Sequence, residues 1–352
     1  MSKPTLSLDG KLAEFSPGQT ILDVAREQGI DIPTLCYLKD ATPTGACRIC
    51  LVEVKGARTL VASCAMPAGN GMVVQTDTPE VRKSRRLNIE LLLASGNHNC
   101  LTCEKNGDCK LQALAYAYGI TDIRFSGQTQ QYPAETDNPL IVRDFSRCIL
   151  CGRCVQACNE LQVNQAIGYG YRGAKAKIVT TGDRPYNDSD CVFCGQCVQV
   201  CPVGALTEKK AKGLGRSYEM TKIRTTCPYC GVGCQMWLHV KDGRIAKVTA
   251  VEDAQPNRGM LCVKGRFGYD FIHSPERLTT PLIKEDGEFR QASWDEALNL
   301  VATRLKAIKK KHGADAIAGV SCARSINEDS YNMQKLFRGV IGTNNIDHCA
   351  RT

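Results

Sequence analysis

Apolar positions along this chain recur in short runs whose spacing changes from one segment to the next. TLSL and KLAEF alternate apolar and polar residues on either side of Asp9-Gly10, the pattern of a β-hairpin. From Thr20, the residues Ile21, Val24 and Ala25 share a helical face, and Gly29 ends the run. CRICLVEV, RTLVASC and MVVQT add short strands, so the opening segment predicts a small sheet packed on one helix. Thr78-Pro79, a cap followed by proline at the first helical position, opens a helix that stops at Gly96. A second helix over about 107–118 stops at Gly119. MWLHVKDGRIAKVTAV reads as a hairpin turning at Asp242-Gly243. Beyond residue 285, SWDE starts a helix with Ser293 and Glu296 as a capping box, running to about Lys311. AIAGVS follows as a strand, and NEDSYNMQKLFRGVIG as a helix closed by Gly342. Strand between helices is the opening of an α/β domain, whose parallel sheet needs more strands than this stretch supplies.

Composition narrows the classes. With 43% apolar and 23% charged residues the chain is not a disordered one. No apolar run approaches the ~20 residues of a membrane helix, and MSKPTLSLDG has neither a secretory apolar stretch nor a twin-arginine pair. A cytoplasmic location is expected. There 21 cysteines read as metal ligands rather than disulfides, because the cytosol keeps thiols reduced. The net charge of +9 would ordinarily raise nucleic acid as a partner. Metal-bound thiolates change that count: the clusters derived below carry roughly −9 together, so no nucleic-acid partner is expected. Arg82, Lys83, Arg85 and Arg86, on one predicted helix, are expected to form a solvated basic face.

The cysteines fall into groups. Cys36, Cys47, Cys50 and Cys64 lie in loops of the first segment, with the tight pair GACRIC suited to a 2Fe–2S centre; zinc remains an alternative, since one C-x2-C serves both. His98, Cys100, Cys103 and Cys109 lie between two helices and can enclose either a tetrahedral zinc or a 4Fe–4S cubane. CILCGRCVQAC and CVFCGQCVQVCP share the C-x2-C-x2-C-x3-C spacing, about 43 residues apart, the second ending in the Cys-Pro of bacterial ferredoxins. Three thiols at every third position let one turning loop grip three corners of a cubane. The fourth cysteine of each run characteristically ligates the other cluster. Hence Cys148, Cys151, Cys154 and Cys201 are assigned to one 4Fe–4S, and Cys191, Cys194, Cys197 and Cys158 to a second. CPYCGVGC with MLCVKG gives Cys227, Cys230, Cys234 and Cys262 as a further 4Fe–4S set. Cys322 and Cys349 are left over and are expected to be small buried residues.

Taken in order, PTLCY with GACRICLVEV, CLTCEKNGDCKLQ, the paired ferredoxin runs, CPYCGVGC, LCVKGRFGYDFIHSPERLTTPLI, WDEAL and GTNNIDHCART resemble the N-terminal part of the large (alpha) subunit of cytoplasmic molybdenum- or tungsten-dependent formate dehydrogenases. The resemblance covers essentially the whole chain. Its first three elements are shared with iron-only hydrogenases, whereas CPYCGVGC with VKGRFG, and NNIDHCAR, belong to the molybdopterin oxidoreductases. It implies a multi-domain α+β protein: a β-grasp 2Fe–2S ferredoxin-like domain (1–78), a His/Cys helical 4Fe–4S element (79–120), a two-cluster ferredoxin domain (138–210), a small 4Fe–4S domain (218–280) and the start of an α/β molybdopterin domain (281–352). It implies one 2Fe–2S and four 4Fe–4S clusters, with a molybdenum or tungsten bis(molybdopterin guanine dinucleotide) only in the full-length protein.

In that family Lys264 matches the lysine of the VKG motif, between the proximal cluster and a pterin, and is expected to be an electron relay. The implied partners are flavin- and NAD-binding iron–sulfur subunits or a hydrogenase module, possibly ferredoxin. The chain has no G-x-G-x-x-G fingerprint or Walker loop, which places nucleotide reduction elsewhere. The CAR-x motif of the family precedes a metal-ligating selenocysteine or cysteine, and here Cys349-Ala350-Arg351-Thr352 closes the given sequence, so the resemblance implies either a stop-coded selenocysteine next, in an anaerobic selenoprotein, or an arbitrary boundary at that point. Two other readings compete: a free-standing electron carrier, and an NADH dehydrogenase-type large subunit. A pure carrier has no need of residues 285–352, and the second type generally lacks the doubled ferredoxin runs.

Overall fold

The first hairpin forms where the alternation places it. Thr5–Leu8 (β1) and Lys11–Glu14 (β2) pair antiparallel across Asp9 and Gly10, whose φ values of 49° and 85° suit a tight turn. The structure is a computed structural model describing residues 3–127 and 132–349. It has two units, one comprising 1–221 with 239–241, the other 222–238 with 242–352.

In the first unit, the helix Ile21–Glu27 (α1) is held by a reciprocal capping box that the sequence reading passed over. Asp23 N–H donates to Thr20 Oγ1 at 3.2 Å, and Thr20 N–H donates back to the Asp23 carboxylate at 2.9 Å. The strands Leu51–Val54 (β3), Val61–Ala62 (β4) and Val73–Gln75 (β5) join the hairpin in the order β2-β1-β5-β3-β4, with β1 parallel to β5. Leu6, Leu8, Val52 and Val74 pack beneath Ile21, Leu22, Val24 and Ala25, making one buried core. The predicted strand RTLVASC shrinks to two residues, because the chain turns there to bring Cys64 inward.

Pro79–Ala94 (α2) starts at the Thr78 cap as predicted. One of its four basic residues leaves the expected solvated face. Arg85 is 3% exposed and donates to the carbonyls of Leu51 (2.7 Å) and Thr76 (2.9 Å) and to the Tyr118 hydroxyl (3.3 Å). Arg86 pairs with the buried Glu90, whose carboxylate also takes Arg124 at 2.6 Å, and Arg82 pairs with Asp77. Arg82, Lys83 and Arg86 are exposed as the basic-face reading expects; inward-facing carbonyls captured only Arg85 from that face. A 3₁₀ turn, Cys100–Thr102, leads to Lys110–Ala117 (α3).

The ferredoxin region is an interleaved repeat. Ile141–Arg143 (β6) is followed by Arg153–Gln156 (α4), then by the hairpin Ile167–Gly170 (β7) and Lys177–Thr180 (β8). Next come Gln196–Val200 (α5) and Leu206–Glu208 (β9), which returns to pair antiparallel with β6.

Mostly in the second unit, Thr221–Thr226 (β10), Gln235–Lys241 (β11) and Arg244–Ala250 (β12) form a three-stranded sheet, β11 and β12 turning at Asp242-Gly243 as predicted. Val263–Phe267 (α6) follows, then a hairpin, Leu282–Glu285 (β13) with Glu288–Gln291 (β14), that the apolar pattern did not reveal. Trp294–His312 (α7) starts with half a capping box: Ser293 Oγ accepts from Glu296 N–H, while the Glu296 carboxylate is drawn to Arg290 at 2.5 Å. Gly319–Ser321 (β15), Asn327–Gln334 (α8) and Ile346–His348 (β16) complete the unit, with β15 and β16 parallel, as the α/β reading requires. Among the described residues no helix is long and apolar enough to cross a membrane.

Because Arg85 joins two inward carbonyls to Tyr118, Arg85→Ala should lower unfolding stability by about 2–3 kcal/mol through lost charge-assisted hydrogen bonds. Lys83→Ala should change it by less than ~0.5 kcal/mol. Denaturant titration of the two variants measures the contrast.

Candidate metal centres

Each expected ligand group is gathered by its own loop geometry. Around Cys36, Cys47, Cys50 and Cys64, Arg48 adopts φ 55°, which turns Cys47 and Cys50 to the same side. Cys36 N–H donates to Cys47 Sγ at 3.4 Å, and Cys47 N–H to Cys36 Sγ at 3.5 Å. Hydrogen bonds from the Cys47 and Cys64 thiols hold Cys36 down to about 2, and one from Cys64 lowers Cys50 to about 6. The donors Cys47 and Cys64 are raised in return. Four thiols sharing protons at one buried spot are prepared to lose them to a cation.

His98, Cys100, Cys103 and Cys109 line one cavity together with Arg147, Val203 and Gly204. His98 bonds to the backbone of Leu92 and Leu93 at the end of α2, while its Nε2 is buried without a partner. A ring nitrogen tied to backbone carbonyls, leaving the other free, is how a metal-binding histidine is oriented. Burial lowers its pKa and keeps the ring neutral, the form that ligates. A Cβ at Gly204 would stand 2.4 Å from Cys103 Sγ, and one at Gly96 would stand 2.7 Å from the His98 ring. The orphaned nitrogen and the two side-chain-free walls fit a metal-bearing group.

The ferredoxin runs repeat one backbone device. Leu150 (φ 51°) and Gly152 (φ 77°) correspond to Phe193 (φ 52°) and Gly195 (φ 70°), and the N–H of Leu150 and of Phe193 donates to the Sγ of Cys148 and Cys191, each at 3.4 Å. Glycine at the second position admits the left-handed turn that starts α4 and α5. Cys148, Cys151, Cys154 and Cys201 line a single cavity. Cys191, Cys194, Cys197 and Cys158 lie close enough for their charges to act on one another. Cys201 thus lies with the cysteines of the first run, and Cys158 with those of the second. Burial pushes Cys148 up to about 11, Cys151 to about 12, and Cys154 and Cys197 well above the ordinary thiol value. These thiols ionise only against a compensating positive core.

In the second unit Cys227, Cys230, Cys234 and Cys262 gather beside β11, and Cys227 N–H donates to Cys234 C=O at 2.8 Å. Asn257 fixes this loop by accepting from Gln235 N–H and donating to the carbonyls of Gln235 and Met260. A Cβ at Gly265 would lie 3.3 Å from Cys227 Sγ. Lys264 is exposed on α6, two residues from Cys262. Cys322 and Cys349 are not the small buried residues expected. They lie just beyond β15 and β16 with sulfurs 3.2 Å apart, Cys349 exposed, because the parallel register of the two strands aligns them. Ala350–Thr352, on which the selenocysteine expectation hangs, lie outside the described residues. Among the described residues no three His, Cys, Asp or Glu side chains converge as they would around a single ion. Spread groups of four suit a larger inorganic cage.

Sequence reading missed the residues that stand between sites. Val203 lines both the His98 and the Cys148 cavities. Leu38, two residues past Cys36, packs on Ala157 and Val200, and Thr42 N–H donates to Glu160 at 2.7 Å. Tyr186 and Arg143 line the Cys148 cavity. No periodicity or spacing marks these positions.

Comparison with known proteins gives matches along the whole length. Residues 3–79 match a 2Fe-2S iron-sulfur cluster binding domain, 85–124 the NADH-ubiquinone oxidoreductase-G iron-sulfur binding region, and 138–207 the ferredoxin-like domain of NADH-quinone oxidoreductase subunit 3. Residues 220–274 match the molybdopterin oxidoreductase Fe4S4 domain and 277–352 the molybdopterin oxidoreductase family. An NADPH-Fe(3+) oxidoreductase subunit alpha of Geobacter sulfurreducens is 41% identical over 99% of this chain and 40% of its own length. A Staphylococcus aureus protein provisionally named formate dehydrogenase is 36% identical over 98% of this chain and 39% of its own. The chain thus spans about two fifths of these curated relatives. A crystal structure of an NAD+-reducing [NiFe]-hydrogenase in the H2-reduced state has a chain 38% identical, with TM-score 0.57, over 61% of this chain and 92% of that one.

Gly204→Ala should cost the protein the iron bound at the His98 group, a loss of about four atoms per chain if a cubane sits there. Gly168→Ala, where a Cβ meets nothing, should leave iron unchanged. Iron analysis of anaerobically purified variants distinguishes them.

Proposed function

We propose, from the premise that this chain belongs to the molybdopterin oxidoreductase family with iron–sulfur domains of the NADH-quinone oxidoreductase G type and a 2Fe–2S domain, that it is the electron-transfer part of a formate dehydrogenase-type alpha subunit. The observation that carries this reading is the assembly of five four-residue groups on one chain that continues into a molybdopterin oxidoreductase segment. Cys36, Cys47, Cys50 and Cys64 would hold a 2Fe–2S cluster, and the other four groups 4Fe–4S clusters. When bound, these clusters supply one-electron exchange, and the molybdenum or tungsten pterin of the full-length protein supplies the formate chemistry. The domain limits given from the sequence, a cytoplasmic location and partnership with NAD-linked, ferredoxin or hydrogenase modules belong to the same proposal. The 38% identity to a chain of an NAD+-reducing hydrogenase supports the last of these.

The chain's own residues do three things in this reading. They bury the ligands: Cys36, Cys50, Cys64, Cys103, Cys151, Cys154, Cys197, Cys201 and Cys227 are all buried. They bring sites close, with Val203 as the single wall shared by the His98 and Cys148 groups and the Leu38 loop set against the ferredoxin helices. And they adjust charge: neutral His98 in place of a thiolate removes one negative charge and favours reduction there, while the Lys264 ammonium stabilises reduced, negative centres near Cys262. A second reading is favoured by the 41% identical relative: an NADPH-linked electron-transfer subunit without formate chemistry.

In the full-length subunit within its complex, prepared without oxygen, formate should reduce the clusters, bleaching visible absorption and developing low-temperature paramagnetic signals. Lys264→Ala should slow that step about tenfold, the effect of ~1.4 kcal/mol on a barrier, with iron content unchanged. Reduction by NADPH but not by formate decides for the second reading. Colourless, zinc-loaded protein would sink both.

A further inference from the structure

Between the two ferredoxin-type groups lies a buried layer that neither ligand set uses. Arg143, at the end of β6, is 2% exposed. Its Nε and Nη2 donate to the Glu135 carboxylate at 2.8 and 2.7 Å, and its Nη1 is buried without a hydrogen-bond partner. The guanidinium lies 4.2 Å from the Tyr186 ring centre and 5.1 Å from that of Phe145. It lines the cavity formed by Cys148, Cys151, Cys154 and Cys201. Tyr186, 3% exposed, lines the same cavity, yet its hydroxyl reaches Cys197 Sγ, in the other group, at 4.0 Å. One stacked Arg–Tyr pair therefore borders both sites. Behind it Phe145 separates Arg143 from a second buried ion pair, Lys177 with Asp183 at 2.8 Å.

Burying an arginine is unfavourable unless its charge is used, and the Glu135 bond engages only two of its three nitrogens. A positive charge beside a cluster favours the reduced, more negative state, and so does a hydrogen bond donated to a ligand sulfur. The two effects differ in reach: the charge acts on both neighbours through a low-dielectric interior, the hydroxyl only on the sulfur it touches.

We propose that Arg143 and Tyr186 form a shared electrostatic wall that raises the reduction potentials of both ferredoxin-type centres and sets which of the two holds an electron. The inference rests on the reading that these groups hold 4Fe–4S clusters. Each centre takes up one electron. No proton moves at the wall, since Arg143 keeps its ion pair and Tyr186 remains the donor.

The test is a dithionite titration of the full-length subunit in its complex, followed by low-temperature paramagnetic resonance, with iron and sulfide measured on each sample. Tyr186→Phe keeps the ring under Arg143 and deletes only the O–H. It should lower the reduced-to-oxidised ratio of the Cys191-group cluster at a fixed potential roughly fivefold, and that of the Cys148-group cluster less than about twofold. Arg143→Met should lower both, the Cys148 group more, and Arg143→Lys should restore part of the loss. Glu135→Gln leaves the guanidinium uncompensated and should raise the Cys148 group, a change of opposite sign that a folding defect does not produce. Unmoved potentials in Tyr186→Phe and Glu135→Gln, with full iron and sulfide, overturn the wall. Wild-type protein lacking the iron and sulfide of these two centres overturns the reading beneath it instead.

Discussion

A thiolate cannot be buried alone, and the architecture of this chain follows from that constraint. Folding carries many of the grouped cysteines out of water, where desolvation pushes their pKa values up, most of all for the enclosed Cys154 and Cys197. Backbone N–H groups from Leu150, Phe193, Cys36 and Cys47 point at the sulfurs and offset part of that cost. The remainder must come from a positively charged core shared among four ligands. Ordinary hydrophobic packing is gathered beneath α1 and beside β11, with smaller clusters around Ala157 and around Phe337, and much of the remaining polypeptide is arranged around its sulfur atoms.

The same constraint explains why the basic residues stand where they do. Arg85 satisfies the carbonyl of Leu51, the first residue of β3 and one past Cys50, together with that of Thr76 just past β5, and so braces the first group from behind. Arg147 is tied to Asp144 and to the carbonyls of Asn97 and Asn99 on both sides of His98, in the residue just before Cys148. Each guanidinium does structural work for one site while lying beside another. Substitution at such a position is felt in folding and in electrostatics together, and neither effect alone describes it.

Much of the candidate chemistry was legible in the sequence because the ligands are spaced by covalent geometry. C-x2-C-x2-C-x3-C prescribes a turning loop, and the structure shows the same left-handed pair of residues in both copies. The hairpins at Asp9-Gly10 and Asp242-Gly243 were readable for the same reason: two residues decide the turn. What the sequence hid depends on the third dimension. Arg85 looks like its solvated neighbours until the start of β3 and the end of β5 each present a carbonyl to it. Cys322 and Cys349 looked like core residues because nothing local announces that the parallel register of β15 and β16 will align them. Glu296 has the spacing of a capping partner, yet a guanidinium on the adjacent hairpin is a stronger attraction than a backbone N–H.

The exchange of Cys158 and Cys201 between the two ferredoxin runs carries a consequence for how the chain is made. Neither quartet is complete while only the first run has left the ribosome, because its fourth corner is encoded dozens of residues downstream. The halves therefore mature together, and a nascent polypeptide halted between them offers one open, three-cornered socket and, in Cys158, a lone corner of the other.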